Sequence, residues 1–192
     1  MTTTRTLTVI AGFVAGLALL AGCTGTTTPT PTTTPTTSTS PTATAGPVAP
    51  PSSEDEAIAA ATEVAEESLV IRGEVSAAGG DGIERFDAVL TGQALQSATD
   101  EIDLYNAQGY VTTGAVTADF TSAYTQTYEG VEFGMVTLPS CTDFSTLVIT
   151  TSDGSPAPRP STLQYPVDYQ VVYVAEDEAW KVSNMIKTGD TC

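Results

Sequence analysis

The side chains in this chain that could do chemistry are carboxylates, tyrosines and cysteines, and one absence narrows them at once. The 192 residues include no histidine. Serine or cysteine triads of the usual kind, HExxH zinc sites and imidazole acid/base catalysis are therefore excluded. A phosphate-cradling loop is missing too: Gly79-Gly80 and Gly82 are not followed by Lys-Ser or Lys-Thr and read as a flexible turn. Asp119 and Asp168 are the two mid-strand acids. By the alternation of their neighbours both fall on the face opposite the aromatic residues, so each is expected in solvent. Asp100, Glu101 and Asp103, and the run Glu176-Asp177-Glu178, lack the spaced oxygens and central glycine of a calcium loop. They read as solvated charge. No catalytic residue, metal ligand or cofactor is expected, and the chemistry points away from an enzyme.

The cysteines carry more. Cys23 closes the run Leu20-Ala21-Gly22-Cys23, behind an apolar stretch from Leu7 to Leu20 and a polar start with one cation, Arg5. This is the layout of an export signal. Broken by Thr8, Gly12 and Gly16, the stretch is shorter than the ~20 apolar residues a membrane span needs. The four-residue run resembles a bacterial lipobox. That resemblance implies a signal peptide over residues 1–22 and a diacylglyceryl group, thioether-linked, on the Cys23 sulfur. Two acyl chains at ~0.8 kcal/mol per buried methylene would hold the chain stably on the outer face of the cell membrane. An ordinary signal cut, with Cys23 incidental, is the alternative. With Cys23 acylated, Cys141 and Cys192 are the only thiols left, and in an oxidising location a disulfide between them is the default. Without CxxC spacing or a basic neighbour, they do not read as a redox-active pair.

Composition agrees with life outside the cytoplasm. The chain has 23 acidic and 6 basic residues, a net charge of -17, and loses one cation more if Arg5 leaves with the signal. Such a surface repels nucleic acid and anionic headgroups, so no nucleic-acid partner is expected and the lipid must anchor alone. Solubility is the plain reading of the acidity. Residues 23–53 form a Thr/Pro-rich segment without charge, in which Val48 is the single bulky aliphatic residue. With nothing to bury, it reads as a disordered stalk. Seven prolines favour polyproline II, and at ~3.1 Å per residue thirty residues would reach up to about 90 Å.

From Glu54 to Cys192 charges, aromatic residues and β-branched residues appear together, enough for one domain. Ser53-Glu54-Asp55-Glu56 has the form of a capping box. The stripe Ile58, Ala61, Ala65 and Leu69 predicts a helix to about Arg72. A second helix is expected around Ile83, Phe86 and Leu90, ending near Gly92, and a third through Leu95, Ala98, Ile102 and Tyr105, stopped at Gly109. Strands are then expected over 117–128, 131–138, 144–151, 164–175 and 179–186, with a hairpin turn at Glu129-Gly130 and a loop over 153–160.

Three helices followed by an antiparallel meander predict an α+β domain, with the helices covering one face of a bent sheet. The element order, the closing run Ala179-Trp180-Lys181-Val182-Ser183-Asn184-Met185-Ile186 and the terminal cysteine resemble the NTF2-like, cystatin-superfamily cone of actinobacterial Thr/Pro-stalk lipoproteins. The resemblance spans about Glu54 to Cys192. It implies a cone that can hold a small apolar molecule or move a proton from an inward Asp or Tyr, and a homodimer through the outer sheet face. The aromatic residues are expected mainly as core, and Tyr105, Phe120, Tyr124, Tyr169 and Trp180 are the candidate pocket. Two functions stay open at this point. One is a non-catalytic module contacting an envelope protein or cell-wall component, and the other is a binder of, or a histidine-free enzyme acting on, a small apolar ligand in the cone. A filled interior would favour the first, and a cavity of several hundred Å³ the second.

Overall fold

A computed structural model describes residues 48–192. The expected signal, the expected lipid anchor at Cys23 and the expected stalk up to residue 47 lie outside the described residues. Ser53 caps the first helix, α1 (Glu54–Ala77), its hydroxyl accepting from the Glu56 amide. The reciprocal half of the expected capping box is displaced by one residue. The Glu56 carboxylate accepts from the amide and hydroxyl of Ser52, at 2.8 and 2.7 Å, rather than from Ser53. Those bonds hold its pKa below the usual carboxylate range.

The buried stripe of α1 is built on Ala57, Ala61, Ala65, Ser68 and Leu69. Small residues at that spacing let the helix backbone approach the sheet closely. The expected second helix is a 3-10 turn, Ile83–Arg85, running into a single helical turn, α2 (Phe86–Val89). Gly92 does not end it but opens α3 (Gly92–Gln108), with Thr91 at the N-cap. At the other end Gly109 takes the left-handed conformation, φ 65°, that glycine accepts without a Cβ clash.

The strands are β1 (Val111–Thr113), β2 (Thr117–Phe120), β3 (Tyr124–Tyr128), β4 (Val131–Asp143), β5 (Val148–Thr150), β6 (Gln164–Val174) and β7 (Ala179–Lys187). All ladders are antiparallel. The main sheet runs β2-β4-β6-β7 with β3 also on β4, and β1 pairs with β5 separately. The domain is therefore α+β, helices first and antiparallel sheets after. One face of β4 and β6 carries Val136, Leu138, Val167, Tyr169, Val171 and Tyr173 into a core shared with the helices.

Two departures from the expected strands have one cause. The single strand over 117–128 is cut at 121–123, and β4 runs unbroken through Pro139-Ser140-Cys141, where a gap was expected. Phe120 pairs with Ser140 but Tyr124 pairs with Thr137, so the β2–β3 side holds one residue more than β4. The proline sits at this irregularity, facing the interrupted partner, where no ladder bond needs its missing amide. Its carbonyl still accepts from the Thr121 amide at 3.1 Å. The extra residue also reverses the alternation: Ala118 and Phe120 turn inward, but Tyr124 turns out and is 59% exposed. The strand expected over 144–151 shrinks to β5, whose partner β1 the sequence pattern did not reveal.

Both ends of the domain are fastened. The Val48 amide donates to the Glu178 carbonyl, and the Val48 carbonyl accepts from the Tyr173 hydroxyl, each at 2.7 Å. Cys141 and Cys192 form a disulfide, Cα atoms 5.8 Å apart, which ties the C-terminus to β4. Among the described residues no helix is long and apolar enough to cross a membrane.

Candidate functional site

The core is not filled to the end of the sheet. Leu69, Arg72, Gly73 and Ser76 recur at helical spacing along one face of α1, and Glu101 and Tyr105 form an i,i+4 pair on α3. Tyr165, Val167 and Tyr169 alternate along β6, as Met185 and Lys187 do on β7. These residues, with β5 and the loop around Arg159, surround a cavity of ≈ 410 Å³. Small-molecule sites span roughly 300–1,000 Å³. Gly73 helps to keep it open: a Cβ placed there would meet nothing within 4 Å. Buried Thr142, Val167 and Tyr169 form the floor, while exposed Pro158, Arg159, Pro160 and Lys187 form the rim.

Polar groups are few and convergent. Arg72 Nη2 bonds Glu101 Oε2 at 2.7 Å, and its Nη1 lies 3.2 Å from Met185 Sδ. On the floor the Tyr169 hydroxyl lies 3.3 Å from Thr142 Oγ1, which contacts Ser140 Oγ at 2.9 Å. At the rim Phe144 stacks on Tyr165 with ring centres 5.0 Å apart, and Lys187 Nζ lies 5.0 Å from the Tyr165 ring centre. The Arg159 guanidinium donates to the Phe144 carbonyl. Asp143, beside this group, is held by the Ser145 amide and by Gln164, and these bonds keep its pKa low.

The three tyrosines stay protonated. Burial, reinforced by the Glu101 carboxylate, pushes the Tyr105 phenol far above its usual range. Burial also raises Tyr165, against the opposing pull of Lys187, and Tyr169, against its bond with Thr142. With Glu101 held by Arg72, the cavity offers hydrogen-bond donors and apolar walls rather than a free base or a nucleophile. Such an arrangement can bind and orient a molecule. Among the described residues no group of three or more Cys, Asp or Glu is placed to hold a metal ion.

Two of the five candidate pocket residues, Tyr105 and Tyr169, line the cavity. Phe120 stands behind Tyr169, edge-on at 5.4 Å, and supports the floor without lining it. Trp180 is 4% exposed, packed in the core against Tyr173. Tyr124 faces solvent because the extra residue before it reverses the strand alternation. Asp119 is exposed and Asp168 lies on the sheet face away from the core, as alternation predicts. Arg72, Glu101, Tyr165, Arg159 and Lys187 were not foreseen. The available signal was Arg72 itself, a scarce cation three residues after Leu69 on the apolar stripe of α1.

No protein-family model matches the chain, and no curated protein matches it in sequence. A crystal structure of the intermembrane space region of the chloroplast protein ARC6 is similar at 16% identity, covering 66% of this chain and 92% of that one, with a TM-score of 0.49.

Proposed function

We propose that this protein is an exported binding module, held at the outer face of the cell membrane by a lipid on Cys23, whose domain takes a small, largely apolar molecule into the cavity between α1, α3 and β6. The observation that carries the reading is the unfilled volume of ≈ 410 Å³, walled by apolar side chains and three protonated tyrosines. A closed, filled interior would have favoured an interaction module instead. At roughly 30 Å³ per water it equals about 14 waters, room for a molecule of similar heavy-atom count. The likeness to NTF2-like lipoproteins in element order supports the same reading, since a cone of that kind suits a ligand. The acidic surface and the missing histidine support binding over catalysis. An envelope protein or wall component is the alternative partner, and a pair of domains meeting through the outer sheet face is compatible with either. Two measurements test the proposal. Mass spectrometry of the N-terminal peptide is expected to find a diacylated Cys23, and a free thiol on membrane-extracted protein would remove the anchor. Titration with a neutral naphthylamine dye is expected to give saturable fluorescence at one dye per chain, and an unsaturable response would remove the cavity reading.

A further inference from the structure

Charge is distributed unevenly in this domain. From residue 48 onward the cations are Arg72, Arg85, Arg159, Lys181 and Lys187, and three of these, Arg72, Arg159 and Lys187, line the cavity described above. Glu101 is the single carboxylate among the lining residues. It is held by Arg72, so among the described residues Arg159 has no carboxylate partner and Lys187 has only the exposed Asp190, both at the rim of a cavity in a chain of net charge -17. Long-range repulsion would keep anions from such a chain unless a local cluster reversed the field.

The partners of those two cations are weak. Arg159 bonds a backbone carbonyl, and Lys187 Nζ pairs at 3.0 Å with Asp190, whose side chain is 98% exposed. An ion pair so exposed contributes little, so Asp190 is a weak competitor for an incoming carboxylate at Lys187 Nζ. The Arg159–Phe144–Tyr165–Lys187 run joins both cations across two stacked rings at the rim. Below it the walls are apolar: Leu69, Val116, Leu147, Ile149 and Val167.

Resting on the small-ligand reading above, we infer that the cavity selects a medium-chain carboxylate, with the anionic head at the rim between Lys187 and Arg159 and the hydrocarbon chain inside. The volume suits a molecule of about a dozen heavy atoms by the same ~30 Å³ measure. Asp190 is then displaced from Lys187 on binding.

The probes are decanoate and decan-1-ol, titrated by calorimetry against the full chain carrying Cys23→Ser, so that no acyl group of its own competes. Decanoate is expected to bind at least ~10-fold more tightly than the alcohol, as a charge-assisted contact to a lysine or arginine supplies. Lys187→Gln with Arg159→Gln is expected to bring the acid-to-alcohol affinity ratio to within about two-fold of one, with an unchanged circular dichroism spectrum and cooperative melt showing that the variant is folded. Asp190→Asn is expected to strengthen decanoate binding about two- to five-fold by removing the competing carboxylate. Equal affinity for acid and alcohol overturns the inference and leaves the cavity reading standing. An acid preference that survives the double substitution also overturns it, because the head then lies elsewhere. Binding of neither probe overturns both readings together.

Discussion

Gly73 offers the most direct way to separate the space in this domain from its stability. It lies inside α1, faces the cavity, and has no atom within 4 Å of where its Cβ would stand. Glycine inside a helix is about 1 kcal/mol less favourable than alanine. Gly73→Ala therefore gains that propensity and collides with nothing, so its expected effect is a stabilisation of about 1 kcal/mol. For a domain of this size that is a rise in melting temperature of roughly 3–5 °C. Gly73→Phe goes further, because a phenyl ring needs about 150 Å³, the volume at which an engineered apolar cavity takes benzene. Against the ≈ 410 Å³ available, the ring fits and displaces a ligand-sized share of the space. Thermal unfolding followed by circular dichroism should show the Phe variant at least as stable as the parent, while dye affinity falls by ten-fold or more. Loss of stability in the Ala variant, or undiminished dye binding in a folded Phe variant, would falsify the assignment of this cavity as the binding site.

Two further outcomes are expected. The Cys141–Cys192 disulfide closes a sequence separation of 51 residues, which in the chain-entropy model is a stabilisation of about 4 kcal/mol. Cys141→Ser with Cys192→Ser should lower the urea midpoint accordingly, and an unchanged midpoint would show that the unfolded chain gains nothing from release. The tyrosines set an alkaline limit. Their folded-state pKa values lie above the unfolded value near 10 for Tyr105, Tyr165 and Tyr169. The stability they contribute is complete below pH ~10 and is lost as pH climbs from there through the folded values, because the unfolded chain gives up its phenolic protons first. Near-ultraviolet titration should find tyrosinate appearing late in the native protein and in step with unfolding, whereas ordinary titration of all the tyrosines would contradict their burial.

Local signals carried the helical half of the fold and the long strands. Ser53, Gly109 and the alanine stripe each act within a turn or two of where they stand, so α1 and α3 were legible from the chain. Gly92 misled because glycine ends helices more often than it opens them, and nothing local marks the tertiary contact that positions it. The break before Tyr124 was unreadable for a different reason. A strand's alternation continues in sequence whether or not one residue is left over against its neighbour, and only the pairing with β4 reveals the surplus. The short ladder of β1 with β5 depends wholly on partners about forty residues apart. The cavity was harder still, because it consists of what side chains do not fill. Tyr105 and Tyr169 could be named as aromatic residues on inward faces, but Arg72, Arg159 and Lys187 come from an α-helix, a loop and the last strand. Their convergence is a property of the fold, and the scarcity of cations was its only trace.

The two bonds at Val48 bear on how the domain carries load. They fasten the entering chain to Tyr173 and Glu178, at the far end of β6 from Tyr165 on the cavity wall. Eight residues of strand at ~3.3 Å each separate the two ends by about 26 Å. Tension applied at residue 48 would load the β6–β7 hairpin through these two bonds before it reached α1. The helix bearing Arg72 and Gly73 would then be loaded only after those two bonds had parted, so the chamber would keep its shape under a pull that they withstand.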